Sequence, residues 1–217
     1  ILLQEYYNQL NSGAFMRSAT LKALAIATTD EAGTDLGPDY VYGWGLLNTE
    51  RAATLIKLNG TKSLISERTL AQGEVYNLLV TTSGFGPLKV TICWTDPEGV
   101  PNVTGIINNR APKLVNDLDL KIIKNTDTFL PWKLNPEAPA AAASKGDNIL
   151  DNVEQIEITD SAPGQSYIIR ISHKGAITKG PQNYSIVASG VGGIAYCAST
   201  ASSTADSRID KVSLSNI

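Results

Sequence analysis

The stretch that decides the fold is Lys89-Val90-Thr91-Ile92-Cys93-Trp94, in which two sets of side chains alternate with a period of two. This period is that of a β-strand, and it predicts that Val90, Ile92 and Trp94 face a core while the other set faces away from it. Comparable runs recur at residues 74–80, 118–122, 156–158, 167–171 and 184–188. About seven short strands separated by Gly- and Pro-containing turns predict an antiparallel β-sandwich or jelly roll.

A different pattern precedes the strands. Leu21, Leu24, Ala25 and Thr28 recur at steps of three and four residues, which predicts a helix from residue 14 to 27. Residues 1–10 resemble the end of another helix, and a third helix is predicted from 48 to 58, with Asn48 as its N-cap. We therefore predict a mainly β protein with a helical segment at 1–60, a sandwich at 61–191 and a linker with the start of a further module at 192–217.

Composition narrows the classes of function. The 18 basic and 21 acidic residues give a net charge of −3, which argues against a nucleic acid or an anionic membrane as partner. No apolar run approaches the ~20 residues that a membrane span needs. The two cysteines, Cys93 and Cys197, have no metal-binding spacing. We expect Cys93 to be a half-buried strand thiol and Cys197 to be free to pair with a cysteine elsewhere. The apolar opening at Ile1, without a starting Met, is typical of an excised piece.

Two blocks of sequence resemble one protein family. Residues 39–48, Asp-Tyr-Val-Tyr-Gly-Trp-Gly-Leu-Leu-Asn, with Arg51-Ala52-Ala53 after them, resemble the end of subtilase catalytic domains, where a Gly-x-Gly stretch precedes the last helix. Residues 21–26 are similar to the segment that follows the helix of the nucleophile. By this resemblance, residues 2–7 are the far end of that helix, and the nucleophilic serine lies upstream of Ile1.

The second block lies in the predicted sandwich. The motifs at 93–97, 114–120, 151–154 and 180–185 occur in the order found in the jelly-roll domain that follows some bacterial alkaline subtilases. That domain is similar in architecture to the P domain of proprotein convertases. Residues 196–199 and 209–212 resemble the opening of a GEVED-type module. The resemblance implies the C-terminal part of a secreted or cell-surface serine endopeptidase that hydrolyses protein or peptide substrates, with the catalytic domain of the same polypeptide as its partner.

The chain itself lacks the motifs of a catalytic triad. A triad needs a serine, a histidine and an aspartate in mutual contact, and the one histidine is His173, at the end of a predicted strand. We interpret His173 as an ordinary strand-end side chain. We therefore predict no catalytic and no organic cofactor-binding residues here, and no peptidase activity of this chain alone.

A group of oxygen donors is the candidate site. Asp117 and Asp119, two residues apart on a strand, point to one face, while Leu118 and Leu120 point to the other. Neighbouring carboxylates repel unless they are solvated, paired or bridged by a cation. Hard oxygen ligands suit Ca²⁺, and the resemblance favours calcium as well. The predicted metal ligands are Asp117, Asp119, Asp147, Asp151 and Asn152; the alternative is a solvated strand face beside a polar turn.

Two further alternatives stay open. The sandwich could be a non-catalytic module that binds carbohydrate or protein, because lectins use such folds too. Trp94 and Trp132 could then form a sugar-stacking platform, although the alternation at Trp94 favours burial. The parent could also be a homologue with a replaced triad. Residues 1–60 cannot bury both sides of their helices alone, so we expect them to be poorly ordered, or to pack on the sandwich or on a second copy.

Overall fold

The computed structural model describes residues 1–105, 107 and 109–196. The Cys197 and GEVED predictions therefore lie outside the described residues, apart from Tyr196. The described chain forms three helices and eleven strands. The helices are α1 (Leu2–Leu10), α2 (Ser18–Ala27) and α3 (Thr49–Lys57). The strands are β1 (Ser63–Leu70), β2 (Tyr76–Thr82), β3 (Leu88–Trp94), β4 (Asp117–Lys124), β5 (Asp127–Phe129), β6 (Trp132–Lys133), β7 (Ser144–Lys145), β8 (Val153–Ile158), β9 (Ser166–Lys174), β10 (Gln182–Ser189) and β11 (Val191–Tyr196). None of the helices in these ranges is long and apolar enough to cross a membrane.

Two antiparallel sheets face each other and confirm the predicted sandwich. One has the strand order β1-β10-β3-β8 and the other β11-β2-β9-β4-β5, with β6 and β7 as a separate pair. The core between the sheets contains the predicted Val90, Ile92 and Trp94 from β3 and Leu118 and Leu120 from β4. The indole Nε1 of Trp94 donates to the Asn116 carbonyl at 3.0 Å, so the prediction that Trp94 is a core residue is confirmed.

The outer face of the first sheet is buried as well, which differs from the expectation for β3. Thr91 and Cys93 are 0% exposed because α2 packs across this face. Cys93 is therefore a fully buried thiol and not a half-buried one. A second apolar core forms between helices and sheet, with Ala23, Leu24 and Ile56 facing Ile65 and Val187. Of the outcomes expected for residues 1–60, packing on the sandwich is the one observed.

The start of α2 is fixed by residues distant in sequence. The predicted helix began at residue 14, but Met16 is held by the Gln4 side-chain amide, which accepts from its N–H at 2.9 Å and donates to its carbonyl at 2.8 Å. Arg17 is extended, and α2 has no capping side chain of its own. Glu67 of β1 takes this role by accepting from the Arg17 N–H at 2.7 Å and from the Thr20 hydroxyl at 2.5 Å. The helix is thus capped by the sandwich.

The helix α3 follows its predicted boundaries closely. Asn48 Oδ1 accepts from the Arg51 N–H at 2.8 Å, which confirms Asn48 as the N-cap. Asn48 and Arg51 also contact Asp30, at 2.9 Å and 2.7 Å respectively. These contacts hold the loop of residues 30–48 against the start of α3.

Candidate functional site

The predicted acidic site has a lysine among its carboxylates. The ammonium Nζ of Lys174 on β9 lies 3.1 Å from Asp117 Oδ2, 2.9 Å from Asp119 Oδ1 and 2.5 Å from Asp147 Oδ1. Asp117 pairs directly with Lys174 across the β4–β9 register, and Asp119, opposite Ser172, lies two pairs further along, on the same face. Asp147 reaches the cluster from the segment between β7 and β8. The structure therefore brings three of the five predicted ligands together around one ammonium group.

The other two predicted ligands have different partners. Asp151 Oδ2 accepts from the Asn148 side chain at 3.1 Å. Asn152 donates to the Trp94 carbonyl at 2.7 Å and accepts from Lys22 Nζ at 2.8 Å. Within the described ranges, and with Lys174 among the three aspartates, no group of three or more acidic, histidine or cysteine side chains could hold a metal ion in the structure as it stands. The calcium site of five ligands stays a prediction, which the experiment proposed below tests.

The electrostatics of the cluster follow from burial and from Lys174. Burial alone would lower the pKa of Lys174, but its hydrogen bonds to Asp147, Asp119 and Asp117 raise that pKa above the ordinary value. Burial raises the pKa of Asp117 despite the ammonium beside it. For Asp147, burial is the largest single effect and acts in the same direction, but the hydrogen bond and charge of Lys174, a hydrogen bond with Asp119 and the charge of Lys121 together outweigh it and lower the pKa. The ammonium is thus held in its charged form.

Glu154 lies close to the cluster in the interior. It is 0% exposed, and Oε2 accepts from the Leu120 N–H at 2.5 Å, while Oε1 has no hydrogen-bond partner among the described residues. Burial raises the pKa of Glu154 to about 9, and the Asp119 charge adds to that effect. The side chain is therefore a neutral acid at pH 7, and adds no negative charge to the three aspartates.

His173 serves the fold at the end of β9. Its Nε2 accepts from the Gly73 N–H at 2.7 Å, which ties β9 to the turn before β2. Within the described part of the chain, no hydrogen bond between His173 and a serine side chain is found. The prediction that this chain alone lacks peptidase activity remains a prediction.

A second feature is the exposed apolar side chains of residues 1–47, which belong to the helices and to the loop of residues 30–48. Sixteen large apolar side chains of the described residues are exposed, and ten of these belong to residues 1–47. They are Ile1, Leu2, Leu10, Phe15, Leu36, Tyr40, Val41, Tyr42, Leu46 and Leu47. We call this set the N-terminal apolar surface. Such a concentration of exposed apolar side chains is typical of an interface.

Two clefts adjoin the helical segment. The larger, about 580 Å³, lies between the start of α2 and the loops at 95–97 and 178–183. The smaller, about 230 Å³, lies between residues 38–44 and 132–134, and Trp44 and Trp132 are among the residues that line it. A Cβ atom at Gly37 would lie 2.7 Å from the Trp132 ring, and Lys145 Nζ lies 3.2 Å from the ring centroid. The Trp132 ring is therefore packed against its own chain, and it shares no platform with the buried Trp94.

Sequence reasoning missed Lys174, which organises the acidic cluster, and Glu67, which caps α2. Lys174 follows His173 at the end of a predicted strand, but the strand period gives no information on which strand pairs with it. Glu67 lies in β1, a strand that the sequence analysis did not predict. Neither residue belongs to a local motif, so only the sheet register could have identified them.

Comparison with known proteins supports the coarser part of the family resemblance. No protein-family model matches the chain. The chain is 27% identical over 209 residues to a Dictyostelium discoideum protein named serine protease/ABC transporter B family protein tagA. The match covers 89% of this chain, which spans 11% of the length of that curated relative. Among solved structures, a Yersinia pseudotuberculosis-derived mitogen is similar at 16% identity and a TM-score of 0.30, over 59% of this chain and 86% of that one. The chain, whose described residues form a mainly β fold, is similar to part of a protein named as a serine protease.

Proposed function

We propose that this chain is the C-terminal part of a subtilisin-like serine endopeptidase, secreted or at the cell surface. In this proposal, α1–α3 form one side of a catalytic domain whose triad lies upstream. The sandwich is fixed behind those helices as a stabilising domain. The parent enzyme hydrolyses peptide bonds of protein or peptide substrates, and this chain supplies no catalytic group.

The N-terminal apolar surface is the observation that carries the proposal. Leaving apolar area in water costs about 25 cal/mol per Å², so ten exposed large side chains disfavour the free state. Residues 40–47 contribute half of them and coincide with the block that resembles the end of subtilase catalytic domains. The occupant that this coincidence favours is the rest of the catalytic domain in the same polypeptide.

The contacts between helices and sandwich support the structural role. Glu67 caps α2, Ser185 Oγ lies 2.8 Å from the Thr20 hydroxyl, and Ser63 donates to the Leu55 carbonyl at 2.7 Å. These polar groups are buried or half-buried, and separating the two parts would leave them without partners. A catalytic domain that included α1–α3 would therefore be held directly by the sandwich.

The first test is the coding sequence upstream of Ile1. A Gly-Thr-Ser motif within about 20 residues is expected, because the nucleophile's helix should end at residues 2–7. The extended protein should react with a fluorophosphonate probe and hydrolyse casein, while this chain alone should do neither. An upstream sequence without that motif would refute the proposal and favour the carbohydrate- or protein-binding module.

A matched pair of variants tests the proposed interface. Val41 is 78% exposed on the N-terminal apolar surface, and Val100 is 79% exposed on the sandwich loop at 97–116. Val41→Asp should lower the melting temperature of the extended protein and leave that of this chain unchanged, since only the extended protein buries Val41. Val100→Asp should change neither. Equal effects of the two variants in the extended protein would contradict the proposed interface.

A further inference from the structure

The three aspartates around Lys174 come from two separate segments. Asp117 and Asp119 lie on β4, and Asp147 lies in the segment from Gly146 to Asn152 that leads from β7 to β8. This segment has few strand hydrogen bonds, and Asp147 itself is half exposed. The ammonium of Lys174 thus bonds to both segments and joins this one to the β4–β9 pair.

The ammonium is saturated by this arrangement. A lysine side chain has three N–H donors and no acceptor, and here three carboxylates lie within 2.5–3.1 Å of Nζ. Calcium ligands lie about 2.3–2.6 Å from the ion. An ion held by the same three oxygens would therefore take nearly the position of Nζ, and the two cannot be present together.

We propose that Lys174 is the built-in cation of this cluster, that the folded protein takes no divalent ion there, and that removing the ammonium creates a calcium site. The like charges of Asp117, Asp119 and Asp147 are then compensated by a side chain of the same protein. The fold would keep this segment in place at any calcium concentration.

The experiment compares the wild-type chain with Lys174→Met, a variant of similar length that lacks the charge. Melting curves are recorded in EGTA and in 5 mM CaCl₂, and bound calcium is measured by atomic emission after gel filtration. The wild type should melt at the same temperature in both buffers and carry no stoichiometric calcium. Lys174→Met should melt lower in EGTA and recover by about 5–10 °C in CaCl₂, as expected for a ligand near a hundredfold its Kd in a protein of this size.

Two outcomes would overturn the proposal. One is a wild-type melting temperature that rises in calcium together with one bound ion per chain. The other is a folded Lys174→Met protein that is indifferent to calcium, because the three carboxylates would then not form a cation position.

Asp147→Asn keeps the proposal testable if Lys174→Met does not fold. It retains the lysine and two aspartates, so it should gain no calcium response, while limited proteolysis between residues 146 and 152 should become faster. Unchanged proteolysis would refute the joining role of Lys174, and a calcium response would refute its role as the cation.

Discussion

Replacing Glu67 with alanine removes the cap that the sandwich provides to α2. The carboxylate loses three bonds: from the Arg17 N–H at 2.7 Å, from the Thr20 hydroxyl at 2.5 Å and from Arg17 Nε at 3.1 Å. Loss of a helix cap costs about 1 kcal/mol, and the hydroxyl bond to a charged acceptor adds about 1 kcal/mol because Ser185 still contacts Thr20. The guanidinium is 40% exposed, so its pair is worth about 0.5 kcal/mol. Glu67→Ala should therefore weaken the docking of α2 on the sandwich by about 2–3 kcal/mol.

The buried thiol of Cys93 reports this loss directly. Cys93 is 0% exposed beneath α2, and burial raises the pKa of its thiol, so it should react slowly with a disulfide reagent while the helix is docked. In a Cys197→Ser background, Cys93 is the one remaining cysteine. If α2 must open before the thiol reacts, the labelling rate follows the population of the open state. Docking that is weaker by about 2–3 kcal/mol should then accelerate labelling about 30- to 150-fold.

The same substitution type at an exposed site serves as control. Glu67→Gln keeps a neutral acceptor and should accelerate labelling less than Glu67→Ala does. Glu98→Gln changes the exposed pair with Lys179 and should leave the labelling rate unchanged, since such pairs contribute little. The reasoning is refuted if Glu67→Ala labels at the wild-type rate, because α2 would then dock without its cap.

Two further predictions concern a buried acid and a turn. The pKa of Glu154 is about 9 in the folded protein, against an ordinary value of 4.5. Between pH 4.5 and pH 9 the folded state therefore binds more protons than the unfolded state. This group makes the free energy of unfolding fall as the pH rises through that window. The glutamine of Glu154→Gln cannot titrate. In urea unfolding, the stability of this variant relative to the wild type should therefore rise by up to about 1.4 kcal/mol per pH unit in that window. A stability difference that does not vary with pH would contradict the assignment. Gly45 has φ +97°, and a Cβ there would lie 2.2 Å from the Asp30 carbonyl oxygen. Gly45→Ala should cost about 1–3 kcal/mol of stability, whereas Gly43→Ala, with open space around its Cβ, should cost about 1 kcal/mol. Equal losses of stability in urea unfolding would argue against the clash at Gly45.

The success of the sequence reasoning varied with how local the deciding interaction is. The alternation at Val90, Ile92 and Trp94 depends on one strand and one core, and the Asn48 cap depends on a residue three positions away, so both were predictable. The strand β1 was missed because its first four residues are buried on both faces, between the sandwich core and the helices, which removes the alternation. The contacts of Lys174 with Asp117 and of Glu67 with Thr20 span 57 and 47 residues. Such contacts depend on which strands pair, and the alternation of side chains within one strand does not reveal that pairing.

Polar contacts cross the interface between the helical segment and the first sheet, which we call the seam. They bear on how the sandwich would move in a larger protein. Across this seam, Ser63 donates to the Leu55 carbonyl, the Ile65 N–H donates to Asn59, and Gln155 donates to the Ile26 carbonyl. A hinge at the predicted boundary near residue 60 would break these bonds, of which the first and third are buried and the second is partly buried, at about 1–3 kcal/mol for each buried group left unpaired. The short turn from Leu58 to Ser63 is itself closed by backbone bonds from residues 61–63 to the Leu58 carbonyl. If the helices belong to a catalytic domain, the sandwich therefore moves with that domain as one body, and its effect on activity would be exerted through stability and not through closure over a substrate.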